Sequence, residues 1–84
     1  MPPAMPALDE LSVGQSGRIS KLNLNPSECQ RLMEMGLTVG ATVRLLRFAP
    51  LGDPIEILAR GYHLSLRKAE AHAILVEPLP DTPP

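Results

Sequence analysis

The sequence predicts a mainly β domain, a small, partly open barrel of five short strands with one helix inserted after the first strand. The strongest observation is the stretch 41–66, which has the pattern of three consecutive antiparallel strands over 43–49, 55–59 and 62–66. A helix with clear start and stop signals precedes it. An apolar run at 73–77 follows it and can close the sheet.

Turn-forming residues separate the three central runs. Prolines, a glycine and an aspartate crowd 50–54, while Arg60 and Gly61 leave room only for a tight hairpin. Such a meander keeps an unpaired edge on each side and one bare apolar face, so the rest of the chain must cover it. The basic residues of this region fall mostly at alternate positions, which is typical of a solvated face.

The first strand is predicted over 18–24, after a glycine-containing turn over 13–17. Its apolar alternation shifts phase between Ile19 and Leu22, which either a bulge or bend or the ordinary irregularity of a single sequence would explain. The last strand, 73–77, is apolar on both faces, as expected for a strand that closes a small barrel.

The inserted helix is predicted over about 26–35. Asn25 is a favourable N-cap, Pro26 suits the first helical position, and Glu28 can complete a capping box. Gly36 is expected to end the helix in a left-handed conformation. A short helical turn is expected at about 67–72.

One face of the helix is expected to pack on the barrel. Cys29, Leu32 and Met33 share that face at helical spacing, while Met35 lies off it. Burial in the core is favoured over a partner contact for the two methionines taken together. Leu8 and Leu11 are the first expected core anchors. The predicted core consists of Ile19, Leu22, Leu32, Leu37, Val43, Leu45, Ile55, Ile57, Leu64, Leu66, Ile74 and Val76.

The chain is expected to form one domain over 8–77, with a flexible leader at 1–7 and a disordered proline-rich tail at 78–84. The net charge of −1 and pI of about 6.0 argue against nucleic acid as a partner. One cysteine fits a reducing compartment. No run of about 18 apolar residues and no signal peptide is present, so we expect a cytoplasmic protein without direct membrane insertion.

Catalysis is poorly supported by the sequence. There is no glycine-rich phosphate-binding loop, and the serine, histidine and aspartate residues lack the context of a catalytic triad. Asp53 and Glu56 lie close together, but Asp53 is better explained as a turn residue. We therefore expect no enzymatic activity.

Three residues are candidate metal ligands, namely Cys29, His63 and His72. The histidines are not at helical spacing and no CxxC motif is present. Ordinary structural roles explain each residue better: Cys29 as a small buried hydrophobe, His63 as an outward strand residue and His72 near a helix end. We expect no required cofactor, and any Fe²⁺ or Zn²⁺ to bind weakly, adventitiously or between molecules.

An ordered series of segments resembles the ferrous iron transport protein A family (FeoA). It begins with LSVGQSGRI and RLMEMGLTVG and continues through PLGDPI to the region around Gly61. The matching segments are 11–19, 31–40, 43–46, 50–55, 61–62, 64–67 and 70–71. The resemblance implies an SH3-like barrel in the cytoplasm that assists a FeoB-like, GTPase-coupled membrane transporter of ferrous iron. The same module is similar to the C-terminal domain of metal-dependent repressors.

The favoured interpretation is a non-enzymatic protein that binds the cytoplasmic part of such a transporter. A partner strand could add to a sheet edge, or an extended segment could lie in a groove beside the helix. We predict a partner surface of Glu28, Arg31, Leu32 and Met35. The alternatives are a metal-binding or metal-sensing domain and a detached accessory domain of a transcriptional regulator. A weak or metal-mediated homodimer stays open.

Overall fold

The computed structural model describes residues 5–80. A single 3-10 turn, Leu8–Glu10, precedes the regular elements. The elements that follow are β1 (Ser16–Leu22), α1 (Pro26–Glu34), β2 (Thr42–Phe48), β3 (Ile55–Ala59), β4 (Tyr62–Leu66), α2 (Lys68–His72) and β5 (Ile74–Pro78). No helix in this part of the chain is long and apolar enough to cross a membrane.

The strands form one antiparallel sheet in the order β4-β3-β2-β1-β5. The sheet is not closed, and α1 is inserted between β1 and β2 as predicted. The register of β1 against β5 shifts between Ile19 and Lys21, which confirms the irregularity predicted in the first strand. A second shift, between Leu45 and Arg47 of β2, was not evident from the sequence.

The start of α1 follows the local signals, with one difference. Asn25 is extended and its side-chain oxygen accepts a hydrogen bond from the Glu28 N–H at 2.9 Å, as an N-cap should. The Glu28 carboxylate accepts from the Asn25 side-chain amide at 2.7 Å. The Glu28 carboxylate therefore bonds to the side chain of the N-cap residue. In a capping box it would accept the backbone N–H of that residue instead.

Gly36 ends α1 in a Schellman motif. Its φ of +93° is in the left-handed region, and its N–H donates to the Met33 carbonyl at 3.0 Å. The Leu37 N–H donates to the Leu32 carbonyl at 2.9 Å. Both leucine side chains are fully buried, so the motif joins the helix end to the core.

The core matches the prediction except at two positions. Leu22 and Leu64 are half-buried and pack against the core from its margin. Leu64 belongs to β4, an edge strand, so its side chain has neighbours on one side only. Tyr62, at the start of the same strand, is 72% exposed, whereas Leu66 at its end is fully buried. Leu8 and Leu11 are core residues as expected.

The predicted packing face of α1 is wrong at Met33. Its side chain is 51% exposed, whereas Met35 packs against the core. The buried stripe of this short helix runs from half-buried Cys29 through Leu32 to Met35 at intervals of three residues. Met33 lies about 100° around the helix from Leu32, outside so narrow a stripe.

The ordered domain reaches beyond the predicted limits of 8 and 77. The Val76 N–H donates to the Pro6 carbonyl at 3.0 Å, and Ala7 forms a bridge with Leu75. At the other end, the Leu79 N–H donates to the Ser16 carbonyl at 2.9 Å. The predicted leader and tail otherwise fall on residues 1–4 and 81–84, which lie outside the described residues.

Candidate functional site

A cleft of about 600 Å³ lies where α1, α2 and the end of β4 meet. Its walls come from all three elements and from the turn before β3. The lining residues are Glu28, Arg31, Pro54, Ser65, Leu66, Arg67, Ala69 and Glu70. Half of these residues are charged, and the apolar Leu66 among them is buried. The cleft therefore suits an elongated polar segment better than a small apolar ligand.

An ion pair between Arg31 of α1 and Glu70 of α2 crosses the cleft. The second oxygen of Glu70 accepts the Arg67 N–H at 3.1 Å and so caps α2. The Glu70 side chain is only 12% exposed, while that of Arg31 is 53% exposed. Both Glu70 oxygens are thus engaged, and the ion pair holds Arg31 at the cleft while about half of the Arg31 side chain stays open to solvent.

The edge of β4 borders the same cleft. The two-residue turn Arg60–Gly61 makes Ala59 and Tyr62 a hydrogen-bonded pair, after which pairs along the hairpin alternate. The backbone N–H and C=O groups of His63 and Ser65 therefore point away from β3. Both residues are exposed. The opposite edge of the sheet, on β5, is partly covered by Pro6 and Ala7.

The predicted partner surface divides in two. Glu28 and Arg31 line the cleft. The prediction is wrong at Leu32, because this side chain is fully buried in the core and has no exposed area that a partner could contact. Met35 is half-buried against the core and presents only part of its side chain.

The three candidate metal ligands lie in separate places. His63 is on the free edge of the sheet. The Nδ1 of His72 lies 3.2 Å from the Asp9 carboxylate, joining α2 to the 3-10 turn. The thiol of Cys29 lies 3.3 Å from the Leu24 carbonyl oxygen. Between residues 5 and 80, no three histidine, cysteine or acidic residues are placed to hold a metal ion.

Besides Glu28 and Arg31, the polar residues of this site are Ser65, Arg67 and Glu70, and sequence reasoning missed all three. Glu70 had one local signal, its position three residues after the residue that caps α2. Its pairing with Arg31 had none, because the two residues meet only when β2, β3 and β4 have folded between them. The free edge of β4 likewise depends on the strand order.

These features define a class of protein: a small domain built on one open antiparallel sheet, with an accessible edge strand and a cleft beside it. The chain belongs to the FeoA domain family, whose model matches residues 7–78.

Solved structures of FeoA proteins share this fold. FeoA from Chlorobium tepidum is 42% identical, with a TM-score of 0.84 over 88% of this chain and 70% of that one. FeoA from Stenotrophomonas maltophilia, determined in complex with zinc and described as an SH3 domain protein, is 28% identical. Its TM-score is 0.68 over 84% of this chain and 88% of that one. The predicted SH3-like fold is thereby confirmed.

A much longer relative carries the same domain. The Fe(2+) transport protein A/Fe(2+) transporter FeoB fusion protein of Porphyromonas gingivalis is 34% identical over 70 residues. The match covers 83% of this chain and 8% of that protein. In that relative, a FeoA-like domain and a ferrous iron transporter are parts of a single polypeptide.

Proposed function

We propose that this chain is a non-enzymatic, cytoplasmic accessory protein of ferrous iron uptake that binds the cytoplasmic part of a FeoB-like transporter. The observation that carries the proposal is the Porphyromonas gingivalis fusion protein, because domains that work together are held at a high effective concentration when they share a chain. The proposal carries over to this chain the contact between a FeoA-like domain and the transporter that such a fusion favours.

The surface that we assign to this contact is the cleft, and three of its residues support the assignment. Arg31 is oriented by its ion pair with Glu70 yet remains half exposed, so it can also bond to a partner. Arginine is favoured at interfaces because its planar group makes several directed hydrogen bonds. Glu28 and Arg67 add further polar groups along the same walls. Such a surface is suited to reversible association.

The test measures binding of the purified chain to the soluble cytoplasmic domain of a FeoB-like transporter from the same cell. Two arginines form a matched pair of variants. Arg31→Ala removes a cleft residue, and Arg47→Ala removes an arginine that is also exposed and also paired with a glutamate, but lies on β2. We expect Arg31→Ala to weaken binding by more than about fivefold, corresponding to roughly 1 kcal/mol, and Arg47→Ala to leave it unchanged.

A second readout is ferrous iron uptake by cells that lack the chain. We expect uptake to fall, and to be restored by the wild-type chain and by Arg47→Ala. The proposal is overturned if the wild-type chain neither binds the transporter domain nor changes uptake.

A further inference from the structure

The free edge of β4 has the properties of a site for strand addition. Its outward backbone groups belong to His63 and Ser65, which face away from β3, and neither backbone bonds to any other part of the chain within residues 5–80. Unpaired edges of this kind accept an extended segment, whose main chain supplies the hydrogen bonds. The edge leads into the cleft, because Ser65 lines both.

The charges around the edge are mainly basic. Arg60 precedes the strand, while Arg67 and Lys68 follow it, and none of these three side chains has a carboxylate within ion-pair distance in the described chain. The nearby acids are already engaged. Glu70 forms an ion pair with Arg31, and Glu56 forms one with Arg47. The Glu28 carboxylate accepts a hydrogen bond from the Asn25 side chain, and the Asp53 carboxylate accepts one from the Lys68 N–H at 2.9 Å.

These basic side chains favour one of two possible binding partners for the β4 edge, a second copy of the chain or an acidic segment of another protein. If a second copy paired antiparallel through its own β4, centred on Leu64, then Arg60 of each copy would lie opposite Lys68 of the other. Like charges placed opposite each other destabilise a strand pair. An extended segment with acidic residues at both ends would instead meet opposite charge at both ends of β4.

We propose that β4 binds an extended, acidic segment of a partner protein as a sixth strand of the sheet. This proposal deepens the proposed function and rests on it for the partner's identity. The main chain of the segment pairs with the outward groups of His63 and Ser65. Its acidic ends face Arg60 on one side and Arg67 and Lys68 on the other.

The test uses a synthetic probe and the whole chain labelled with ¹⁵N. The probe is a capped peptide with an alternating Thr-Val core and two aspartates at each end; the comparison peptide has lysines in place of the aspartates. We expect amide shifts concentrated on β4 and its flanking basic residues, 60–68, and affinity for the acidic peptide on the order of tenfold higher at low salt. Shifts elsewhere, no shifts at millimolar peptide, or equal binding of both peptides would overturn the proposal.

Two variants at one position separate strand addition from simple charge attraction. Ser65→Pro removes an N–H that points away from β3, and proline is tolerated at such an edge position. Ser65→Thr keeps the N–H. We expect Ser65→Pro to lose the acidic peptide and Ser65→Thr to retain it. Equal binding by both variants would contradict strand addition, and the peptide comparison on the wild-type chain stands even if Ser65→Pro folds poorly.

Binding of a second copy of the chain to the β4 edge would give a different result in the same NMR experiment. Concentration-dependent shifts on 62–66 without any peptide would identify a β4–β4 dimer and overturn the proposal. The peptide experiment contains no transporter, so its failure leaves transporter binding through Arg31 unaffected. Conversely, a chain that binds the acidic peptide but not the transporter domain refutes the proposed function alone.

Discussion

Arg31 and Glu70 form an ion pair that ties the inserted helix to the short helix before the last strand. The pair brackets the cleft, and its acid also caps α2 through the Arg67 N–H. Local helix structure and the shape of the candidate site are therefore linked through one carboxylate.

Exchanging the two charges of this pair should separate its contribution to the stability of the fold from the contribution of Arg31 to transporter binding. The double variant Arg31→Glu/Glu70→Arg can restore the ion pair but loses the carboxylate that caps α2, so we expect its melting temperature to exceed that of Glu70→Arg, which also loses the cap and places two cations together. The difference should be about 1 kcal/mol or less, because Arg31 is half exposed. The double variant, which lacks Arg31, should bind the transporter domain weakly. Wild-type affinity in the exchanged variant would show that Arg31 has no role beyond its pair.

Replacing Gly36 by Val should destabilise the fold by about 1 kcal/mol or more. A Cβ at this position would meet only the flexible Arg60 side chain at 3.4 Å, so the cost comes from the left-handed backbone and not from a clash. Gly36→Asn should cost less, since Asn tolerates this conformation. Urea denaturation measures both variants, and a valine variant as stable as wild type would contradict the Schellman assignment.

Truncating Leu32 or Ile57 to Ala should destabilise the protein by roughly 2–5 kcal/mol, because each side chain is fully buried and its removal leaves a cavity. Leu51 is the matched control. It is 96% exposed in the turn before β3, so Leu51→Ala should change stability by no more than about 0.5 kcal/mol. A similar loss in all three variants would refute this core assignment.

In the turn between β3 and β4, replacing Arg60 should increase the stability of the fold. Arg60 has φ +52° and Gly61 has φ +82°, a combination that favours Asn-Gly over Arg-Gly. We expect Arg60→Asn to raise stability by about 0.5–1 kcal/mol, and Gly61→Ala to lower it. Thermal melting would decide the point. A less stable Arg60→Asn variant would mean that the Arg60 side chain contributes more by packing beside Gly36 than its backbone costs.

Metal binding should be weak and should not require His63, His72 and Cys29 together, because the structure places them in separate environments. Anaerobic titration with Fe²⁺ and with Zn²⁺, combined with measurement of molecular mass, tests this. Any binding should fall on replacing a single histidine and should accompany association of molecules. A monomeric site of sub-micromolar affinity that uses all three residues would instead favour the metal-sensing alternative.

The local features of this chain were determined by the sequence itself. Asn25, Pro26 and Gly36 delimit α1, and alternation places Ile55 and Ile57 in the core, because capping and strand periodicity act between residues a few positions apart. The resemblance to the FeoA family added the expected fold. The exposure of Met33 was beyond these signals, since several faces of a short helix can be apolar and only packing selects one.

Tertiary structure alone decided the site. The sequence predicted Glu28 and Arg31 as site residues. It did not predict the ion pair between Arg31 and Glu70, because Arg31 precedes the three-stranded meander in the chain and Glu70 follows it. The sequence left an unpaired edge on each side of the meander, and only the structure shows that β1 and β5 extend the β2 side, with Pro6 and Ala7 partly covering β5, while the β4 edge stays free. Both facts depend on strand order and long-range contacts, which are fixed by burying one common core and not by any short stretch of sequence.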